Sequence, residues 1–386
     1  MDLELSPEHR LLTDSVAGFM RREVLPHLEE MDEKDAFPDG LWRKIGDLGL
    51  LGITVPAEYG GAGFDLLSAV LAAEEMGKVS SAVALSYVAH AILCADTLSR
   101  HGSEIQKKKY LPKLCTGEMY GALALTEPGA GSDAVGIETT AIKTAGGYVL
   151  NGSKMFITNG PVAEVIIVYA KTDKQKGSKG ITAFIVEKNL RGFSSGRKLN
   201  KTGNRGSQTS ELYFENCLVS ADNILGEENR GVAVMMSGLD RERAAVAGIP
   251  LGVAENALEL SLKYARERKQ FGVPIGSFQL VMAKLADMYT RIEAARLMCH
   301  KAGILADRNE RGGKGTEMHK FTAATILFTA EMAMQTSLEA VQIHGGYGYM
   351  KEFPVSRLLR DAKLFEIGAG TSEIRRLLIA RELLGM

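Results

Sequence analysis

The chain has few cysteines and no excess of charge of either sign. Cys94, Cys115, Cys217 and Cys299 are far apart and include no Cys-x-x-Cys pair. They therefore read as reduced thiols, not as a zinc site or a disulfide frame. The seven histidines show no metal-ligand spacing, so no metal is expected. His344, beside two glycines, reads as a packed histidine. The 46 basic and 47 acidic residues leave a net charge of −1 without a basic stripe. That balance argues against nucleic-acid binding. No apolar run is read as membrane-spanning, so no membrane partner is expected. Met1–Arg10 is acidic and lacks a targeting pattern, which points to the cytoplasm, or to the mitochondrial matrix if a transit segment has been removed. The 386 residues, 45% hydrophobic and 24% charged, suit a globular protein of two or three packed units.

Residues 1–120 read as helical. Ser6-Pro7-Glu8 starts one helix with a cap and a proline at the first helical position. Leu11, Leu12, Val16 and Phe19 continue it. Pro56–Gly63 reads as a loop and Leu66–Arg100 as one long helical segment. Between 121 and 226 the pattern changes to strand-length runs. Tyr148-Val149-Leu150 leads into Asn151-Gly152, a hairpin signal. Glu164–Lys171, Ile181–Val186 and Glu211–Phe214 are further strands, so a small β-barrel or sandwich is expected. From 227 to 386 the helical pattern returns, punctuated by Gly231, Gly248, Gly272, Gly303 and Gly345, with Gly312–Gly315 as an exposed connection. The class is α+β, with a β module set between two helical units.

Five segments can carry chemistry. In Phe365–Ile374, FEIGAGTSEI, two glycines precede Thr371, a good N-cap, and Glu373 in the first helical turn. Ile374, Leu377 and Leu378 follow at helical spacing. The stretch is either an anion-binding helix start or a plain loop-to-helix junction. Gly129, Gly131 and Ala134 fit a dinucleotide fingerprint, but strands follow where that motif needs a helix. Thr126, Ser132 and these glycines can still offer donors to a ligand. On residues 228–249, Val232, Met235, Met236, Leu239 and Val246 form an apolar helical stripe. Arg243 falls inside it, Asp240 and Glu242 flank it, and Arg241 points to solvent. A carboxylate at such an edge suits a general base, although an ordinary polar run looks the same. Arg243 can pair with Asp240 at i,i+3. Finally, Tyr264–Gly272 ends a helix with clustered cations, and Val341–Tyr349 is a glycine turn. Together these turns suggest a large phosphate-bearing ligand.

Taken in order, these segments resemble the acyl-CoA dehydrogenase family over almost the whole chain. The matching motifs are Ala124–Pro128 with Gly131-Ser132-Asp133, Phe156–Gly160, Arg268–Gly272, Gln342–Gly346 and Gly370–Ile374. The resemblance implies an N-terminal helical domain, a middle β-barrel or sandwich domain, a C-terminal four-helix bundle, FAD as cofactor and a homotetramer. It places Leu125, Thr126, Gly131, Ser132, Phe156, Ile157 and Thr158 along the flavin. Arg268, Phe271, Gln279, Gln342, Gly345 and Gly346 fall on the pyrophosphate and adenine side, and Thr371 and Glu373 near phosphate or ribose. Ser132, Ser178, Asp240 and Arg243 match acyl-CoA contacts, and the turn at Ala369 and Gly370 faces the thioester.

One departure is informative. The family's usual glutamate before Gly-Thr is Ala369 here, a pattern that resembles the isovaleryl-CoA dehydrogenase branch. That branch places its base in Leu-Asp-x-Glu-Arg, which makes Glu242 the implied base. The implied reaction is α,β-dehydrogenation of a short branched acyl-CoA, with an electron-transfer flavoprotein as acceptor. Ala233, Ala244 and Ala245 leave open a bulkier aromatic, alicyclic or 2-substituted succinyl-CoA. An acyl-CoA oxidase and a non-catalytic acyl-CoA-binding relative are the other classes. Lys78 is a weak candidate for a second substrate carboxylate.

Overall fold

The computed structural model describes residues 5–308 and 312–386. The first four residues of the acidic Met1–Arg10 stretch lie outside that range. The N-terminal region holds α1 (Pro7–Phe19), α2 (Leu28–Lys34), α3 (Leu41–Asp47), α4 (Leu66–Val79), α5 (Ser81–Val88), α6 (Thr97–His101) and α7 (Glu104–Cys115). Ser6 caps α1 through the His9 N–H, as its sequence implies. The segment read as one helix from Leu66 to Arg100 is broken at Ser80, which is extended and caps α5. A π-helical stretch, Ala89–Asp96, then leads into α6.

The strands are β1 (Gly121–Ala124), β2 (Thr140–Thr144), β3 (Gly147–Thr158), β4 (Val165–Lys171), β5 (Ile181–Glu187), β6 (Phe193–Ser195), β7 (Thr209–Val219) and β8 (Ile224–Leu225). They form one mixed sheet in the order β6-β7-β3-β2-β4-β5-β8, with β1 parallel to β4. Asn151-Gly152 is not the hairpin turn expected. β3 runs straight through it, and the β2–β3 turn lies at residues 145–146. Gly152 sits at a register shift against β7 with φ 146°, where an added Cβ would come 2.6 Å from Thr139 Oγ1. The glycine therefore serves a bulge and a close approach. β4 is buried on both faces, which explains its unbroken apolar run. Val165, Ile167 and Tyr169 face a helical layer that includes Tyr110, Leu111 and Leu114 of α7. Ile166, Val168 and Ala170 face a second core with Tyr148, Phe184 and Phe214.

The C-terminal region holds α8 (Gly231–Val246), α9 (Gly248–Glu267), α10 (Gln279–Arg308), α11 (Glu317–His344), α12 (Pro354–Ala362) and α13 (Ser372–Leu384). A short hairpin, β9 (Lys269–Gln270) with β10 (Val273–Pro274), follows α9. α9, α10 and α11 pack together and against α4, so one hydrophobic core runs through both helical regions. Gly303 does not punctuate α10. It lies within the helix, where a Cβ would come 2.8 Å from Leu67 Cα of α4. Ser81–His101 and Gly231–Glu267 are long and apolar enough to cross a membrane, contrary to the sequence expectation, but 89% and 78% of those windows are buried inside the protein. Their apolar character reflects burial among neighbouring helices. All four cysteines are free and buried.

Candidate active site

Helix α8 crosses the seam between sheet and bundle. Its first residue, Gly231, packs on β5, where a Cβ would come 2.8 Å from the Thr182 carbonyl carbon. Val234 and Met235 join the sheet-side core, while Ala244, Ala245 and Val246 join the helical core. The charged run between them is buried along its length. Arg241, expected in solvent, grips Asp96 with Nε–Oδ2 2.8 Å and Nη2–Oδ1 3.0 Å, and donates to the Ala306 carbonyl. Thr54 Oγ1 donates to the same carboxylate. The π-helical stretch brings Asp96 to the outer side of α8, so that side faces protein.

Asp240 is fully buried. Its carboxylate accepts from Arg243 Nη1 at 2.8 Å and the Gly313 N–H at 2.6 Å, and His319 Nδ1 lies 2.7 Å away. The i,i+3 pair expected of Asp240 and Arg243 is therefore present. Glu242 differs from its neighbours. Its Oε2 is buried without a hydrogen-bond partner. Burial pushes its carboxyl up to about 7, against the opposing pull of Arg243 and Arg375. A buried carboxyl that titrates near neutrality is poised to exchange a proton.

Arg375 also holds the turn before α13. Thr371 caps α13 by accepting the Ile374 N–H. The buried residues of α13 are Ser372 and Arg375, whereas Leu377 is exposed. The apolar spacing of Ile374, Leu377 and Leu378 thus does not mark the inner face. Arg375 is 1% exposed and donates to the Phe365 carbonyl at 2.8 Å and the Gly368 carbonyl at 2.5 Å. Ala369 stands in the left-handed region with φ 55° and Gly370 with φ 87°. The nearest atom to a Cβ on Gly370 would be 4.0 Å away, so the turn leaves open space.

A second cluster ties β3 to the loop after β1. Lys154, with a fully buried side chain, donates to the Leu125 carbonyl at 3.0 Å and to Glu127 at 2.8 Å. Glu127 also accepts the N–H groups of Glu138 and Thr139. The Met155 N–H reaches the Thr126 carbonyl, which brings Leu125 and Thr126 beside Phe156, Ile157 and Thr158. Phe156 is 66% exposed with φ 60°, a costly conformation for an aromatic residue displayed to solvent. Gly131 and Ser132 are exposed on the same loop, and a Cβ on Gly131 would meet nothing within 4 Å. No helix follows them, in keeping with the rejected dinucleotide motif. Ser178 is exposed on the 174–180 turn.

A cavity of about 470 Å³ lies at the end of α9, lined by Tyr264, Arg268, Gln270, Gly345, Gly346 and Tyr347 among others. Arg268 lies over the Tyr347 ring, 5.5 Å from its centre. His344 is packed as expected, stacked on Tyr264 with ring centres 4.2 Å apart. Phe271, Gln279 and Gln342 are exposed outside this cavity, Phe271 with φ 51°. Glu373 is exposed at the start of α13. Lys78 is engaged by Glu75 and Glu255.

Sequence reasoning missed Arg375, Lys154 and His319. Lys154 shares the inward parity of Tyr148 and Leu150 on β3, and that alternation could have found it. Arg375 lies three residues after Ser372 on one helical face, but the apolar stripe beside it masked the signal. His319 meets Asp240 only through folding and leaves no local trace.

Three family models match consecutive parts of the chain. They are described as the acyl-CoA dehydrogenase N-terminal domain over residues 6–118, middle domain over 122–217 and C-terminal domain over 229–384. The chain is 51% identical over 372 residues to a mitochondrial isovaleryl-CoA dehydrogenase of Oryza sativa subsp. japonica, covering 96% of this chain and 90% of the relative. It is 49% identical over 383 residues to a mitochondrial 2-methylacyl-CoA dehydrogenase of Solanum tuberosum, covering 99% and 92%. Its structure matches the butyryl-CoA dehydrogenase of Megasphaera elsdenii with a TM-score of 0.95 and 41% identity over 100% of both chains.

Proposed function

The chain belongs to the acyl-CoA dehydrogenase family, and from that premise we propose that it oxidises a short branched-chain acyl-CoA with Glu242 as the α-proton base. Members of this family are FAD-dependent oxidoreductases. The observation that carries the base assignment is the unpartnered Glu242 carboxyl, held near neutrality by burial at the seam of sheet and bundle.

The residues fit the cofactor. Exposed Phe156 and the open Gly131 loop make a surface for a flat ring system, with Leu125, Thr126, Ser132, Ile157 and Thr158 beside it. The cavity at Arg268, Gly345 and Gly346 offers a cation, aromatic faces and open backbone for the pyrophosphate and adenine end. Phe271, Gln279 and Gln342 would extend that end, and Thr371 and Glu373 would meet phosphate or ribose. Bound FAD supplies the acceptor for the β-hydride.

The chain's own residues do the rest. Ionised Glu242 takes the α-proton, and burial stabilises the neutral acid that results. Charge grows on the thioester oxygen as the proton leaves, and the Ala369 N–H is the protein donor for it. Arg243, fixed by Asp240, would face the CoA arm with Ser132 and Ser178. Gly370 leaves room for a branched acyl chain. Ala244 and Ala245 are packed in the helical core, so they lend no support to the bulkier alternatives. Exposed Met282, Tyr289 and Leu297 lie on one face of α10 and make it an apolar surface suited to subunit contact in a homotetramer. An electron-transfer flavoprotein is the proposed oxidant of the reduced enzyme.

Purified protein should be yellow and bleach anaerobically with isovaleryl-CoA faster than with aromatic or dicarboxylic acyl-CoAs. Glu242→Gln should retain FAD and not bleach. Bleaching of that variant at the parent rate would remove Glu242 from the mechanism, and rapid peroxide formation in air would mark an oxidase.

A further inference from the structure

Arg375 has one of the largest fully buried side chains among the described residues, and it acts both on Glu242 and on the turn before α13. Its Nη2 holds the Gly368 carbonyl. That carbonyl belongs to the same peptide unit as the Ala369 N–H. The chain has no cis peptide among the described residues, so this N–H points opposite to the held carbonyl. The Ala369 N–H donates to no protein acceptor among the described residues. A charge-assisted bond at one end of a peptide also polarises it, which strengthens the donor at the other end.

We propose that Arg375 is a positioning residue for this reaction: it aims and strengthens the Ala369 N–H through the shared peptide, and places a fixed positive charge beside Glu242. This rests on Glu242 being the base and Ala369 facing the thioester. Two contacts make the guanidinium a brace. Nη1 holds the Phe365 carbonyl and Nη2 holds Gly368, so the turn is gripped at both ends. Nε is buried without a partner, as is Glu242 Oε2. Among the described residues Glu242 makes no ion pair, so the two charges influence each other without neutralising each other. Arg243 on the same helix is the other cation acting on Glu242. Asp240 with His319 and Asp96 with Arg241 are paired elsewhere. Arg243, Glu331 of α11 and Glu366 before the turn also act on the Arg375 charge.

Arg375 meets the two carbonyls with two separate nitrogens of one planar fork, a geometry that the single ammonium of lysine does not reproduce. Arg375→Lys therefore separates the roles, keeping charge and losing aim. In FAD-loaded protein, the affinities of an enoyl thioester and of an S-alkyl CoA thioether lacking the carbonyl oxygen are compared. Arg375→Lys and Arg375→Gln should weaken the thioester by about tenfold or more while leaving the thioether unchanged. Infrared pH titration of the Glu242 carboxyl, identified by its loss in Glu242→Gln, should move upward in Arg375→Gln and stay near the parent in Arg375→Lys. Equal weakening of both ligands, or an unmoved Glu242 titration in Arg375→Gln, overturns the proposal and reduces Arg375 to a structural strut. If Arg375→Gln does not fold, Arg375→Lys decides, because an unchanged thioester preference there refutes the aiming role. Failure of the underlying reading shows separately, as Glu242→Gln bleaching at the parent rate with Arg375 intact.

Discussion

Removing the Glu242 charge should stabilise the protein while it abolishes the chemistry. Burial raises this carboxyl from an ordinary 4.5 to about 7. Between those values the folded chain keeps a proton that the unfolded chain has released. Stability therefore falls as pH rises through that window and is flat above it. At 1.36 kcal/mol per pH unit, the cost above pH 7 is about 3 kcal/mol. Glutamine removes the slope and inherits the same unpartnered position at Oε2. Glu242→Gln should thus melt with the parent near pH 4.5 and progressively above it toward pH 8. With an unfolding entropy of about 2.1 cal/mol/K per residue over the chain, the gap at pH 8 is about 4 °C. Circular-dichroism melts at saturating FAD, run from pH 5 to 8, read this directly. A gap that does not change with pH, or a variant less stable than the parent at pH 8, would refute a desolvated Glu242. The same titration predicts that flavin bleaching by substrate in the parent rises with pH through about 7, since the base must be ionised.

Three further outcomes follow from buried contacts. Lys154→Met leaves Glu127 charged and unpaired, which should cost about 3–5 kcal/mol in a denaturant melt and loosen FAD, while the double variant with Glu127→Gln recovers most of the loss. Asp96→Asn strips the charge that Arg241 grips and should destabilise by a similar amount, about 3–5 kcal/mol, although neither residue is proposed to touch substrate. Gly303→Ala should force α10 away from α4 at Leu67, at a cost of about 1–3 kcal/mol seen as a lowered melting temperature.

Helix starts, strand-length runs and turn glycines were legible because each depends on a few neighbouring residues. Ser6 and Thr371 cap the helices that their sequences announce. The ordered motifs and the alanine at 369 directed attention to Glu242 without any coordinates. Local patterns misled where one signal serves two structures. Asn151-Gly152 fits a hairpin turn and a bulge alike, and only the approach of Thr139 decides between them. The two windows of membrane length carry the same ambiguity, since a helix buried in protein and one in lipid are both rich in apolar residues.

The sequence by itself determined the order of helices, sheet and helices, and the identities of the groups that can do chemistry. The tertiary structure decided which of those groups are charged, paired or free. Arg241 and Arg243 are two residues apart, yet Arg243 pairs along its own helix with Asp240, as its spacing announces, while Arg241 is bound by Asp96 from another part of the fold. Glu242 stands between them without an ion pair among the described residues, and its titration near neutrality is set by burial, against the pull of Arg243 and Arg375. Periodicity reports which face of a helix a residue occupies, whereas electrostatics depends on what the folded chain brings to that face. Arg375 comes from 133 residues beyond Glu242 in the sequence, and only the folded chain brings it to the base and the turn together.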